Sequence, residues 1–408
     1  MDTENIKGIL KISDRRISAV DTTFIRDIYY QIEWNARLIL IKGCRGVGKT
    51  YMILQHLKNS ASKSVYLSVD NLFFLTHTLT ETINFLYKEG FRLIALDEIH
   101  KYPDWSIELK NLYDDYPDIQ LVVTSSSALS ILSGRGDLSR RLDEYLMRGL
   151  SFREFLAFEY GYDVPAFNWE ALLSEHVALS EEYYTAWDIS GKFTTYLKKG
   201  YYPYFKEAGS RIDERIIAVI NQVIESDMAA IFNVDYESTR QIKKLLALIS
   251  RMVPFSPNIT KLSRDLALSR HSVLHYLDYL GEAGILNLLK SDAKSDSALT
   301  KPDKVFFENT NIMYAFDPGG KNTGTMRETF VLNALSRSGL VSTPVKGDFL
   351  MDNKYTIEVG GINKTFHQLA GMPNPILIKE GLAKGSGEIL PIWTLGFLKD
   401  KNTNRKAW

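Results

Sequence analysis

Apolar residues in the first third of the chain fall into short runs, and longer stretches of mixed polarity separate them. Leu38-Ile39-Leu40-Ile41 and the stretches 64–69, 91–96 and 119–124 are such runs. A run with little inside–outside alternation marks a strand covered on both faces, as in a parallel sheet. A fifth strand is expected at 144–147. Residues 79–88 carry helical spacing and stop at Gly90; 14–34 reads as one helix, with Ile17, Val20, Phe24, Ile25, Ile28 and Tyr29 near helical spacing. Strands alternating with helices predict an α/β domain built on a doubly wound parallel sheet.

The pattern changes downstream. Residues 157–210 are rich in aromatics and helix formers, and 214–250 reads as helix throughout. Segments 258–267 and 269–280 have the spacing of a helix-turn-helix, with Ser269 as cap and Val273, Leu274, Leu277 and Leu280 as the buried stripe. A hairpin pairing 285–289 with 305–307 would complete a winged helix. Such a domain either reads a major groove with Arg270, His271 and His275 or serves as a spacer or protein-contact module. Lys261, Arg264, Arg270 and His271 are few for a phosphate footprint. Residues 325–337 are expected as a helix, and 345–350 with 354–359 as a strand hairpin.

Length and charge narrow the class. A chain of 408 residues predicts two to four domains. Lys plus Arg balances Asp plus Glu at 49 each, so no global field draws it to nucleic acid or membrane. The start of the chain lacks the apolar core of a signal peptide, and no run of apolar residues is long enough to span a bilayer. Cys44 is the single cysteine, so no intrachain disulfide forms and a reducing cytoplasm is expected.

The chemistry concentrates after the first strand. Gly43-Cys44-Arg45-Gly46-Val47-Gly48-Lys49-Thr50 fits G-x-x-x-x-G-K-[ST] without departure, and Tyr51 continues into a helical pattern. Glycines let successive backbone N–H groups cradle phosphates at a helix N-terminus. Lys49 is expected on the β- and γ-phosphates of a nucleoside triphosphate, and Thr50 on Mg²⁺. Asp97 and Glu98 end the strand at 91–96, where open α/β sheets hold their ligands. Asp97 would hold Mg²⁺, directly or through water, and Glu98 would position and polarise the attacking water. Serines at 125–127 either touch the γ-phosphate or cap a helix, and an arginine within 134–141 either serves as a finger or lies on the surface.

Asp97-Glu98-Ile99-His100-Lys101-Tyr102-Pro103-Asp104-Trp105, Thr124-Ser125-Ser126-Ser127 and Leu150-Ser151-Phe152-Arg153-Glu154-Phe155 together resemble a prokaryotic family of AAA-type P-loop ATPases. The second half of that family is a domain of unknown function with a restriction-endonuclease-like fold. The resemblance implies ATP as the nucleotide, Ser126 as sensor, Arg141 as the family arginine and a helical lid after the sheet. Ser125 stands where the family has a sensor glycine, and Ser139-Arg140-Arg141 replaces its x-G-R. Asp348 and Glu358-Val359-Gly360 resemble the D…E-x-K core of that nuclease fold, with Gly360 in the lysine position, Lys364 the nearest substitute and Glu328 a third acid. Active members hold Mg²⁺ there; a decayed structural or binding domain is the alternative.

The expected layout is an AAA-type ATPase domain at 1–157, a helical lid at 158–213, a winged helix at 214–318 and a nuclease-like α/β domain at 319–408. ATP and ADP are the expected ligands. DNA, an unidentified protein partner and a second copy of the chain remain open as partners.

Overall fold

The computed structural model describes residues 3–125, 138, 140–228, 232, 234–291, 300–319 and 323–401. It divides into two compact units: 1–148 joined by 227–233, and 149–226 together with 234–401.

The first unit is built on five strands: β1 (Leu38–Lys42), β2 (Ser64–Ser68), β3 (Leu93–Asp97), β4 (Gln120–Ser125) and β5 (Asp143–Leu146). All pair in parallel, in the order β2-β3-β4-β1-β5. Leu38, Ile39, Leu40 and Ile41 are fully buried, as their unbroken apolar run requires. Helices α1 (Thr3–Ala19), α2 (Lys49–Asn59), α3 (Leu79–Lys88) and α4 (Trp105–Asp115) accompany the sheet. Thr78 and Glu81 close a capping box that starts α3. Connections leave neighbouring β1 and β4 in opposite directions across the sheet. That reversal opens a crevice at the strands' C-terminal ends, where Lys42, Asp97 and Ser125 lie.

One helix over 14–34 does not form. Helix α1 ends at Ala19, and a short 3₁₀ turn occupies Asp27–Gln31. The Asp21 carboxylate accepts from both the backbone N–H (3.0 Å) and hydroxyl (2.6 Å) of Thr23. Such a local turn competes with the helical ladder and wins.

In the second unit, α5 (Phe152–Tyr160) starts from a Ser151–Glu154 capping box. Phe152 stacks among Phe193, Tyr196 and Phe397. Leu150 N–H donates to Tyr201 O at 2.8 Å, and Arg337 donates to Gly149 O at 2.8 Å. Residues 149–157, expected to close the ATPase domain, therefore pack in the second unit.

The stretch 214–250 is also not one helix. It begins as α6 (Ile212–Gln222), widens into a π-helical turn at Val223–Met228, and resumes as α7 (Tyr236–Ile249), capped by Asp235. Next come α8 (Ile259–Leu266) and α9 (Arg270–Glu282), capped by Asn258 and Ser269. An antiparallel pair, β6 (Leu286–Leu289) and β7 (Lys304–Phe307), follows them. A second sheet, in the order β12-β11-β10-β9-β8, holds β8 (Val341–Ser342), β9 (Phe349–Met351), β10 (Tyr355–Gly360), β11 (Pro375–Lys379) and β12 (Ile389–Pro391). It is mixed: β10 runs antiparallel to β9 and parallel to β11. Helix α10 (Thr323–Ser338) packs on it.

Candidate nucleotide site

Strand β1 hands the chain to the loop at Gly43, where a Cβ would lie 2.1 Å from Met147 O. Only glycine fits there. Gly48 has φ 100° and forms the N-cap of α2, a left-handed conformation that Gly adopts without a Cβ penalty. Arg26 braces the loop, its guanidinium donating to Val47 O (2.8 Å) and Arg148 O (2.8 Å). No local pattern marked it.

Lys49 opens α2 and is buried; its ammonium donates to Gly43 O (2.8 Å) and Cys44 O (3.0 Å). Burial pulls its pKa down, while Glu98, Cys44, Asp97 and Asp227 pull it up. Thr50 Oγ1 donates to Asp97 Oδ2 at 2.8 Å. Asp97 also accepts from the Tyr66 hydroxyl (2.7 Å) and from Thr124 Oγ1. Arg16 Nη1 donates to that same tyrosine oxygen at 2.9 Å. Burial, then the Asp97 charge, drives the Tyr66 phenol well above its ordinary pKa, so it stays a donor.

Glu98 follows with φ 59° and ψ 40°, a left-handed conformation that costs a non-glycine residue free energy. Its N–H donates to Thr124 Oγ1 at 3.1 Å. Its Oε2 is buried without a hydrogen bond, facing Lys101 Nζ at 3.3 Å, Arg45 Nη1 at 3.8 Å and His100 Nε2 at 3.8 Å. Asp227, fully buried, reaches the same group from far along the sequence: its Oδ1 lies 3.4 Å from Arg45 Nη1 and 3.9 Å from His100 Nε2. His100 Nδ1 faces Ser125 Oγ at 3.4 Å.

The loop 43–50, Asp97 and Glu98 are thus brought together, as the sequence anticipates. Tyr51 is exposed, and its hydroxyl accepts from Asp21 N–H at 3.0 Å. Arg141 is directed elsewhere: its guanidinium makes two hydrogen bonds to Asp114, at 2.9 and 3.1 Å. Ser126 lies outside the described residues. The Thr50 hydroxyl and Asp97 carboxylate form a convergent pair of hard oxygen donors, the chemistry Mg²⁺ requires.

A second group assembles in the other unit. Lys304 Nζ lies between Glu328 (3.6 Å) and Asp348 (3.8 Å), and Lys364 pairs with Glu358. Asp348 Oδ2 accepts from Val359 N–H at 2.8 Å. Burial, with the Asp348 charge contributing, raises the pKa of both Glu328 and Glu358. Among the described residues, no group of three or more His, Cys, Asp or Glu is arranged to hold a metal ion. Two ammonium groups already neutralise this cluster, so as it stands it does not fit Mg²⁺.

This geometry defines a P-loop-like α/β unit with a five-stranded parallel sheet. Residues 35–156 match the family model of the AAA domain, which supports an AAA-type P-loop ATPase unit, and 190–322 match a domain of unknown function, DUF8612. The matched domain of unknown function therefore lies mid-chain, ahead of the C-terminal segment expected to carry it.

Among individual relatives, the chain is 25% identical to an uncharacterized protein of Methanocaldococcus jannaschii, with 66% of this chain and 60% of that protein covered. The chain thus spans under two thirds of that relative's length. A katanin chain, from a structure addressing the basis of katanin self-assembly, aligns over 41% of this chain and 60% of its own at 15% identity and a TM-score of 0.25. A likeness that slight carries no argument. Among the described residues no helix is long and apolar enough to cross a membrane.

Proposed function

We propose that the first unit binds ATP with Mg²⁺ in the loop 43–51 and hydrolyses it. The observation that carries this reading is the Thr50–Asp97 contact at 2.8 Å, beside a lysine held over its own loop. Lys49 would exchange two carbonyl partners for phosphate oxygens, which restores solvation to its buried ammonium. Mg²⁺, held by Thr50 and Asp97, would neutralise charge on the phosphates. Glu98, one residue beyond the metal-binding carboxylate, would orient and polarise the attacking water. The output is an interaction with a partner, gated or driven by the nucleotide.

In this reading 158–213 is a helical lid. The helix pair α8–α9 with β6–β7 belongs to a winged helix at 214–318 open to DNA or protein, and 319–408 is a nuclease-like domain. Arg141 or an arginine of a second copy would supply the finger, with Ser126 as sensor. A reduced, cytoplasmic setting suits the single thiol.

Lys49→Ala should lower MgATP affinity on the order of a hundredfold, as expected for losing charge-assisted bonds to phosphate. Glu98→Gln should bind MgATP and stop turnover. Calorimetry paired with a phosphate-release assay tests both; wild-type turnover in Glu98→Gln refutes the assignment of Glu98.

A second reading, DNA cleavage by the C-terminal sheet, requires Lys304 and Lys364 to leave Glu328, Asp348 and Glu358 before a metal could enter. Plasmid incubated with the protein, ATP and Mg²⁺ or Mn²⁺ tests it. Cutting that survives Glu358→Ala would exclude this cluster as its source.

A further inference from the structure

Glu98 does not stand alone at the end of β3. Two nitrogen atoms, Arg45 Nη1 and His100 Nε2, each lie within 4 Å of two carboxylates, those of Glu98 and Asp227. Arg45 belongs to the phosphate loop and His100 to the turn after Glu98, so both are local to the site. Asp227 is not. It arrives from the π-helical turn Val223–Met228, inserted where α6 would otherwise continue.

A π-turn shifts the register of every side chain that follows it, and such turns recur at functional sites. In this turn Val223, Ile224 and Met228 are buried with Asp227, while Glu225 and Ser226 face solvent. A carboxylate with no exposed surface persists only where donors compensate its lost hydration. Two of the groups that face it, Arg45 and His100, also face Glu98.

We propose that Asp227 is a positioning residue for nucleotide hydrolysis, acting on Glu98 through the two donors they share, Arg45 and His100. The inference rests on the ATPase reading above. With Asp227 charged, Arg45 and His100 are divided between two acids, and Glu98, which also faces Lys101 at 3.3 Å, is held less tightly than it would be by all three. With Asp227 neutral, Arg45 is drawn fully onto Glu98. The carboxylate is then tied down as an ion pair, turned from the water it should orient, and weakened as a base. Because Asp227 belongs to a segment that follows the ATPase sequence by many residues, displacement of that segment would regulate turnover without touching the nucleotide.

The test is Asp227→Asn, which preserves shape and removes charge. Steady-state phosphate release should show kcat reduced about tenfold, a loss within the range that small misplacements of catalytic groups produce. MgADP affinity by calorimetry and the thermal midpoint should stay at wild-type values, which a merely structural role would not allow. In a double-mutant cycle, Asp227→Asn added to Arg45→Ala should cost less than twofold further. An unchanged kcat in Asp227→Asn, or full additivity with Arg45→Ala, overturns the proposal. If Asp227→Asn does not fold, Asp227→Glu, which retains the charge on a longer arm, should keep kcat within about twofold of wild type; a tenfold loss in a folded Asp227→Glu overturns the proposal. Wild-type protein without turnover overturns the ATPase reading and this inference with it. Wild-type turnover that Asp227→Asn leaves untouched overturns this inference alone.

Discussion

Replacing Asp97 separates what the carboxylate does for the fold from what it would do for a metal. Three hydroxyls donate to it, from Thr50, Tyr66 and Thr124. A hydrogen bond to a charged group contributes roughly 1.5–3 kcal/mol. Asp97→Ala deletes both acceptor oxygens, and with them all three hydrogen bonds, and strands the buried Tyr66 and Thr124 hydroxyls, so a loss of about 4–5 kcal/mol is expected from the low end of that range. At ~2–4 °C per kcal/mol for a unit of this size, the thermal midpoint should fall by about 10–15 °C. Asp97→Asn keeps one carbonyl oxygen for Thr50 and Tyr66, and the Thr124 hydroxyl can rotate to accept from the new amide. Its cost should be about 1–2 kcal/mol, a few degrees. The folded Asn variant then isolates the metal. Calorimetry of ATP with and without Mg²⁺ should show wild-type affinity enhanced by the ion and the variant's affinity nearly indifferent to it. Equal midpoint losses for the two variants, or a Mg²⁺ enhancement in Asp97→Asn as large as in wild type, would refute the reasoning.

Other outcomes follow from buried titratable groups. His56 stacks on Trp34 at 3.8 Å with its Nε2 buried and without a hydrogen bond, and burial pushes its pKa down to about 4. The unfolded chain binds this proton more readily, so the stabilisation is present above the unfolded value of 6.5 and is lost as pH falls towards 4. The ceiling is roughly 3 kcal/mol, nearer 1–2 kcal/mol after solvent screening of a ring that is only partly buried. His56→Phe should flatten the midpoint-versus-pH curve across that window; an unchanged slope would discount the residue. Glu328 behaves oppositely, because burial and then Asp348 raise its pKa. Its contribution is present below the unfolded value of 4.5 and disappears as pH rises through the raised one. Glu328→Gln should therefore raise the midpoint at pH 8 and not at pH 4, as thermal scans at the two pH values would show.

The phosphate loop and strand tips were legible because each is written in consecutive residues. Gly43 to Thr50 carries its backbone demands in its glycines, and the apolar runs around Ile39 and Ile94 place the sheet. The break at Asp21 was not, since Phe24, Ile25 and Ile28 continue the helical spacing while one carboxylate ends the helix. The Leu150–Tyr201 bond and the Phe152 cluster that tie 149–157 to the second unit are long-range, so no local pattern announced them. Asp227 was hidden for the same reason. Glu225, Ser226 and Asp227 follow one another in the sequence, and a continuous helix over 214–250 gave none of them a destination. His100 stands two residues after Glu98, but nothing local says that its ring turns back to face that glutamate.

The whole chain holds a single sulfhydryl, and it belongs to the second residue of the phosphate loop, partly open to solvent, its carbonyl held by the Lys49 ammonium. Any maleimide or fluorophore therefore attaches at one address, without an engineered cysteine. Protection of that address by a bound nucleotide would convert labelling speed into a direct occupancy gauge, usable even on variants that hydrolyse nothing.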